Sequence, residues 1–164
     1  QDADARVMRH QVRRLRELCR EAAALERELL VLVRALQPRL LALPGVGPLT
    51  AAKLIAEIAG IERFRSPAKL ARLAGIAPIP ASSGNTTRMR LDRGGNRQLN
   101  AAIHRVAVTQ MRCHPPAKDY IARRINEGKT KREAIRCLKR HLIRTIFNTL
   151  TPTATPLNTA LALT

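Results

Sequence analysis

The sequence has few aromatic residues: no tryptophan, one tyrosine and two phenylalanines among 164 residues. A basic amphipathic helix that binds a membrane surface normally needs tryptophan or phenylalanine at the lipid interface, so the composition disfavours this class of protein. No apolar run approaches the length of a membrane span, and no signal peptide is recognisable. We therefore expect no membrane partner.

Cysteine is also scarce, and its spacing disfavours two kinds of site. Cys19, Cys113 and Cys137 are odd in number and far apart, which excludes a disulfide framework and indicates a reducing cytoplasm. Cys113-His114 and the Cys137/His141 pair lack the close spacing typical of zinc ligands. We predict no metal site and no cofactor in this chain, because residues 63–150 also hold only four acids, too few for a two-metal centre.

Acidic residues are outnumbered, with 30 lysines and arginines against 12 aspartates and glutamates and a formal net charge of +18. The excess lies in the second half: residues 1–62 carry 10 basic and 8 acidic side chains, and residues 63–150 carry 20 and 4. Such an imbalance predicts an anionic polymer as partner. We expect a cytoplasmic protein that is associated with nucleic acid and whose basic surface belongs to residues 63–150.

The N-terminal stretch has the apolar spacing of a long helix. From Leu15 onward the steps alternate between three and four residues, which predicts a helix over residues 4–36 with a coiled-coil seam. The seam residues are Met8, Leu15, Leu18, Ala22, Leu25, Leu29, Leu32 and Leu36. We assign residues 1–39 to a dimerisation helix that makes a homo-oligomer, either a dimer or a tetramer. The alternative is a helix that folds back on its own domain.

A turn of proline and glycine follows, between apolar residues 40–43 and an alanine-rich amphipathic stretch that ends near Ile58. This pattern is typical of a helix-hairpin-helix motif. Its glycines allow a sharp turn, so that N–H groups at Gly45, Val46 and Gly47 can approach a nucleic-acid phosphate without reading bases. The alternative is an ordinary pair of helices joined by a glycine turn.

Two serines, Ser82 and Ser83, precede Gly84-Asn85, residues that tolerate tight turns. Residues 76–80 are predicted to form an edge strand, since two prolines cannot donate to a ladder. The alternation of residues 88–91 has a period of two and predicts a second short strand. The expected β-hairpin thus carries the serine loop beside an arginine row, which suggests phosphate binding; the alternative is a solvated turn. The arginines are Arg88, Arg90, Arg93 and Arg97.

The remainder of the chain is predicted to be helical. A short helix before the serine loop is also expected, since Ser66 can cap it, Pro67 suits its first position and Gly75 suits its end. Asn96 is a suitable N-cap for a helix over residues 97–112, a second helix covers 117–127, and Thr130 and Glu133 form a capping box for the last helix. The outer face of that last helix should carry a basic stripe of Lys131, Arg132, Arg136, Lys139 and Arg140. We predict a mainly α fold with one domain over residues 40–150 and a disordered tail over residues 151–164.

Five short stretches, at residues 41–48, 64–66, 74–78, 82–84 and 93–99, together give the chain a family resemblance. In this order they resemble the C-terminal domain of the DEDD-type insertion-sequence transposases. That family joins an N-terminal RuvC-like domain with four carboxylates to a C-terminal domain that bears a serine. The resemblance spans most of residues 36–145.

The resemblance implies DNA strand exchange in which a serine attacks a phosphodiester and forms a transient protein–DNA bond. Ser83 fits the family's Ser-Gly pattern, with Ser82 as the reserve choice. Arg88, Arg90 and Arg93 are the candidates to neutralise the phosphate. In some relatives a structured guide RNA selects the DNA, which makes RNA a second possible partner.

This sequence departs from the family in lacking the acidic domain, where a divalent metal would be expected. The chain is therefore either a domain of a complete transposase or a remnant, and by itself it is expected to be inactive. Two further hypotheses remain from the residues alone. One is a non-catalytic helix-hairpin-helix protein that binds nucleic acid, and the other is a coiled-coil scaffold.

Overall fold

The computed structural model describes residues 2–81, 89–90 and 92–152. Within these ranges the chain is mainly helical, which confirms the predicted fold class. No helix in this part of the chain is long and apolar enough to cross a membrane. The elements are α1 (Asp2–Leu36), α2 (Pro48–Ile58), α3 (Pro67–Leu73), β1 (Ile79–Pro80), β2 (Met89–Arg90), α4 (Arg97–Cys113), α5 (Pro115–Asn126) and α6 (Lys131–Leu150), with 3₁₀ turns at Pro38–Ala42 and Ile61–Arg63.

Helix α1 confirms the predicted N-terminal helix and leaves most of its surface uncovered. Its 35 residues give a length of about 52 Å at the usual rise per residue. Val33 is its one buried residue, and only its C-terminal end packs against α2. Residues 2–23 are exposed throughout, so the N-terminal part of α1 extends away from the core.

The core is built around α4 and α6, whose inner faces follow the apolar spacing of the sequence. Leu99, Ile103 and Val106 on α4 are buried, as are Leu138 and Ile146 on α6. Helix α6 packs against α3, α4 and α5, and α2 packs against α4. The two longest helices of the core therefore determine where the basic side chains of residues 93–140 are displayed.

Two helix starts confirm the predicted caps, and one does not. The Asn96 side chain accepts from the N–H groups of Gln98 and Leu99, and Thr130 and Glu133 form a complete capping box. Ser66 precedes α3, but its side chain makes no capping hydrogen bond. Helix α5 begins at Pro115 rather than two residues later, because proline is well suited to the first helical position.

The predicted β-hairpin is present and very short. β1 and β2 are antiparallel, with Ile79 opposite Arg90 and Pro80 opposite Met89. The chain between the strands holds Ser82, Ser83 and Arg88, which lie outside the described residues, as do residues 153–164 of the predicted tail. The hairpin therefore defines where the serine segment leaves and rejoins the fold.

Candidate nucleic-acid interface

The site is built on a backbone contact between two glycines. A Cβ atom on Gly95 would lie 2.2 Å from the backbone nitrogen and 2.3 Å from the Cα of Gly75. Gly75 itself ends α3 with a φ of +61°, in the left-handed region that favours glycine. This close approach brings the end of α3 against the start of α4, and it leaves no room for a side chain on Gly95.

Asn96 joins the same junction to a third helix. Its N–H donates to the Leu73 carbonyl at 2.6 Å, and its Nδ2 donates to Glu57 Oε2 of α2 at 2.8 Å. Its Oδ1 meanwhile caps α4. One amide side chain thus connects α2 and α4, while its backbone connects α4 to α3, and this fixes the direction in which α4 starts.

One turn further along α4, Asn100 holds a buried lysine. Its Nδ2 donates to the carbonyl of Ala74 at 2.7 Å and more weakly to that of Gly75. This orientation leaves Asn100 Oδ1 to accept from the ammonium of Lys139 on α6. The predicted outward position of Lys139 is therefore wrong: 9% of the residue is exposed. Its place on α6 faces α4 rather than solvent.

These contacts form the floor of a basic cleft, with a volume of about 810 Å³, between the start of α4 and the first half of α6. Five of the predicted DNA-binding residues line it together. They are Arg93, Arg97, Arg132, Arg136 and Lys139. The one acid of the lining, Asp92, accepts from the Gly94 N–H at 2.9 Å and lies 3.9 Å from Arg72. The cleft therefore has a large excess of positive charge and suits a polyanion.

Two titratable groups in the cleft have shifted pKa values. Burial lowers the pKa of Lys139, because desolvation disfavours the ammonium. Burial also lowers the pKa of His104, and the positive charge of Lys139 adds to this effect. His104 is therefore favoured in its neutral form near neutral pH, and the cationic character of the cleft depends on the arginines and Lys139.

A smaller pocket of about 310 Å³ lies on the other side of Arg136. Its lining includes Arg90 and Arg140 and an apolar part formed by Ile76, Pro78 and Met89. Arg136 lines both cavities. The two cavities thus extend one basic surface from α4 across α6 to the β-hairpin. Lys131 is exposed at the start of α6 but lines neither cavity.

The glycine turn lies apart from this surface. Gly45 has a φ of +79° and packs against Thr109 and the Val106 carbonyl of α4. Arg97, at the start of the basic cleft, lies about 14–18 Å back along the helix. Val46 is buried, and its N–H donates to the Leu43 carbonyl at 3.1 Å. Gly47 is the N-cap of α2, and because glycine has no side chain, no side-chain cap accepts from the first N–H groups of α2.

The chain before this turn is a 3₁₀ helix, Pro38–Ala42, rather than a full α-helical arm. Gln110 of α4 stabilises the turn, because its Nε2 donates to the Pro44 carbonyl at 2.7 Å. A helix-hairpin-helix contact with DNA stays a prediction.

Asn100 and His104 are the residues that the sequence analysis missed. Both follow the Asn96 cap at steps of four and therefore share one side of α4 with it, but a polar residue at such spacing does not reveal what it faces. The buried position of Lys139 was equally hidden, since the sequence alone does not show the carbonyl groups at the end of α3 that orient Asn100.

Metal-binding groups do not gather in the described part of the chain: no three His, Cys, Asp or Glu side chains are placed to hold an ion there. Cys113 contacts the Thr109 carbonyl through its sulfur. His141 stacks against Tyr120 with 6.1 Å between ring centroids.

Comparison with known proteins relates residues 37–122, just over half of the chain, to the family model described as Transposase IS116/IS110/IS902 family. The insertion element IS110 uncharacterized 43.6 kDa protein of Streptomyces coelicolor is 38% identical over 127 residues, 76% of this chain and 31% of that protein. The insertion element IS900 uncharacterized 42 kDa protein of Mycobacterium paratuberculosis is 30% identical over 110 residues, 66% and 28% of the two chains. The pilin gene-inverting protein of Moraxella bovis is 30% identical over 104 residues, 62% and 32%. The chain spans about a third of the length of these relatives.

Proposed function

Because the chain belongs to the Transposase IS116/IS110/IS902 family, we propose that it is the DNA-binding and strand-exchange part of an insertion-sequence transposase. The observation that carries this proposal is the basic cleft, where four arginines and a lysine converge and the one acid already has partners. Such a surface can hold a nucleic-acid backbone without reading its bases. The names of two relatives refer to an insertion element and to gene inversion, which supports DNA as the substrate.

The proposed nucleophile is Ser83, with Ser82 as the reserve. Both belong to the segment between β1 and β2, and the residues that flank this segment line a basic pocket that includes Arg90, Arg93 and Gly94. In the proposed step the Ser83 Oγ forms a bond to phosphorus as the bond from phosphorus to one sugar oxygen breaks. The serine loses its proton, and the released sugar hydroxyl gains one. Arginines beside the phosphate would stabilise the charge of the transition state.

The acidic RuvC-like domain of the resembling transposases would complete the reaction, together with its divalent metal. The basic surface also suits a guide RNA, and competition between an RNA and duplex DNA for the chain would test this partner. A non-catalytic nucleic-acid binder remains the alternative outcome. It would bind DNA with a steep salt dependence but would form no covalent adduct.

Pairing of subunits through α1 is the second part of the proposal. Leu15, Leu25, Leu32 and Leu36 of the predicted seam are each more than half exposed. Exposed leucines in this number along one seam favour a partner helix, because burying each one removes apolar surface from water. A second copy of α1 would supply that partner.

The Ser83→Ala variant tests the chemistry in a complete transposase that carries this chain. We expect recombination, and any covalent protein–DNA adduct, to be abolished, while DNA affinity stays within about twofold because one uncharged hydroxyl contributes little to backbone binding. Ser82→Ala is the matched control and should retain recombination. Recombination by Ser83→Ala at the normal rate would refute the assignment, and loss only in Ser82→Ala would transfer the function to Ser82.

A further inference from the structure

Lys139 is a cation whose surroundings provide too few acceptors for it. Its ammonium has three donor hydrogens, and Asn100 Oδ1 is the one acceptor that the described residues offer it. No carboxylate of the described chain pairs with it. A buried and unpaired charge is costly, so such a group normally has a partner of opposite charge. An anion in the cleft would provide this partner.

The position of the ammonium is fixed rather than adjustable. Asn100 cannot turn its amide without losing its bonds to the carbonyls of Ala74 and Gly75, so its Oδ1 keeps facing Lys139. The glycine contact between Gly75 and Gly95 in turn fixes those carbonyls relative to α4. The lysine is thus held in place before any ligand arrives, which reduces the entropy that binding would cost.

The cleft above Lys139 has the charges and the space for one phosphate group. Arg97 projects from the first turn of α4, and Arg132 and Arg136 lie on the facing side of α6. The start of α4, whose N–H groups at Gln98 and Leu99 are capped by Asn96, adds the positive end of the helix dipole. The volume of about 810 Å³ exceeds what one phosphate needs, so the group can belong to a longer chain.

We propose that Lys139, positioned by Asn100, is the inner anchor for a single DNA phosphodiester, which Arg97 and Arg136 hold from the two sides of the cleft. This inference rests on the proposed function for the identity of the ligand, but its geometry is independent of the serine chemistry. The exposed arginines would then supply general affinity for the backbone. Lys139 would set the depth and the register at which one phosphate is held.

Inorganic phosphate is the first probe, added to the 164-residue chain while NMR follows the ammonium signal of Lys139 and the guanidinium signals of Arg97 and Arg136. We expect saturable shifts with phosphate and no saturable shift with chloride at the same ionic strength. Lys139→Met should abolish the response of both arginines, while Lys131→Met, which removes an exposed lysine outside the cleft, should leave it unchanged. Phosphate shifts that persist in Lys139→Met would overturn the proposal.

Short duplex DNA is the second probe. Lys139→Met should weaken binding by about tenfold or more, since it removes a charged hydrogen bond from a desolvated position. Lys131→Met should weaken binding less, because its charge is screened by solvent and salt. Arg136→Gln is a second test that leaves the buried bonds of Lys139 and Asn100 in place, so its loss of the phosphate response cannot be attributed to misfolding.

The two probes separate the two proposals. A wild-type chain that binds DNA but shows no saturable phosphate response would refute the inner anchor and leave the proposed function intact. A normal phosphate response without DNA binding would refute the proposed ligand instead. Equal DNA affinity in Lys139→Met and Lys131→Met would also contradict the anchor.

Discussion

Replacing Gly95 with alanine should destabilise the fold through a contact between backbones. The added Cβ would lie 2.2 Å from the Gly75 nitrogen, well inside van der Waals contact, and neither chain segment can swing away as a flexible side chain could. The helix start and the end of α3 must separate by roughly 1 Å to restore a contact of about 3.5 Å. Overpacking of this kind costs about 3 kcal/mol in the free energy of unfolding, at the upper end of the usual range.

Gly94→Ala is the matched control, because the nearest atom to its added Cβ is Asp92 Oδ1 at 3.5 Å. We expect its stability to be unchanged or raised by up to about 1 kcal/mol, as alanine restricts the unfolded chain. Thermal unfolding, followed by the fluorescence of Tyr120, should place Gly95→Ala about 6–12 °C below the wild type. Equal unfolding temperatures for Gly95→Ala and Gly94→Ala would refute the close approach on which the cleft is built.

Three further predictions concern the helices. Asn96→Ala should lower stability by about 1–2 kcal/mol in chemical denaturation, because it removes a cap, whereas Ser66→Ala, whose side chain caps nothing, should change it by less than about 0.5 kcal/mol; equal effects would contradict the cap assignment. Hydrogen bonds from Thr130 lower the pKa of Glu133 below its ordinary value of 4.5, so its stabilisation is present at neutral pH and is lost as the pH falls through the folded pKa. When unfolding is measured from pH 7 to pH 3, the wild type should therefore be more stable than Glu133→Gln at neutral pH, and this difference should disappear in acid. A difference in stability that does not change with pH would refute the role of the Glu133 carboxylate. Leu25→Asp should convert oligomers to monomers in sedimentation experiments, while Arg27→Asp, off the seam, should not; monomeric wild type would contradict pairing through α1.

Local signals predicted most of the fold. The alternating spacing of leucines gave α1, and caps at Asn96 and Thr130 located the starts of α4 and α6, because helix ends depend on nearby residues. The glycine that ends α3 was equally readable. All of these features require contacts only within a few positions of the chain.

The candidate site was predicted only in part, because its geometry depends on contacts between distant segments. Arg93, Arg97, Arg132 and Arg136 were recognised from charge, and they do meet in one cleft. The burial of Lys139 was missed, since it follows from Asn100 and from carbonyl groups far away in the sequence. The glycine turn was also predicted to contact nucleic acid, and the sequence did not reveal that tertiary packing directs it toward the other end of α4 from the arginines.

The affinity of the chain for duplex DNA across a range of salt concentrations tests the central claim most directly. Arg97→Gln with Arg136→Gln should reduce the slope of log affinity against log salt by about 2, as two phosphate contacts are lost. Arg13→Gln with Arg20→Gln, which removes two exposed charges of α1, should leave the slope nearly unchanged. An equal reduction of the salt slope in both double variants would contradict the assignment of the basic cleft as the DNA interface. Wild-type binding that does not depend on salt would contradict it as well.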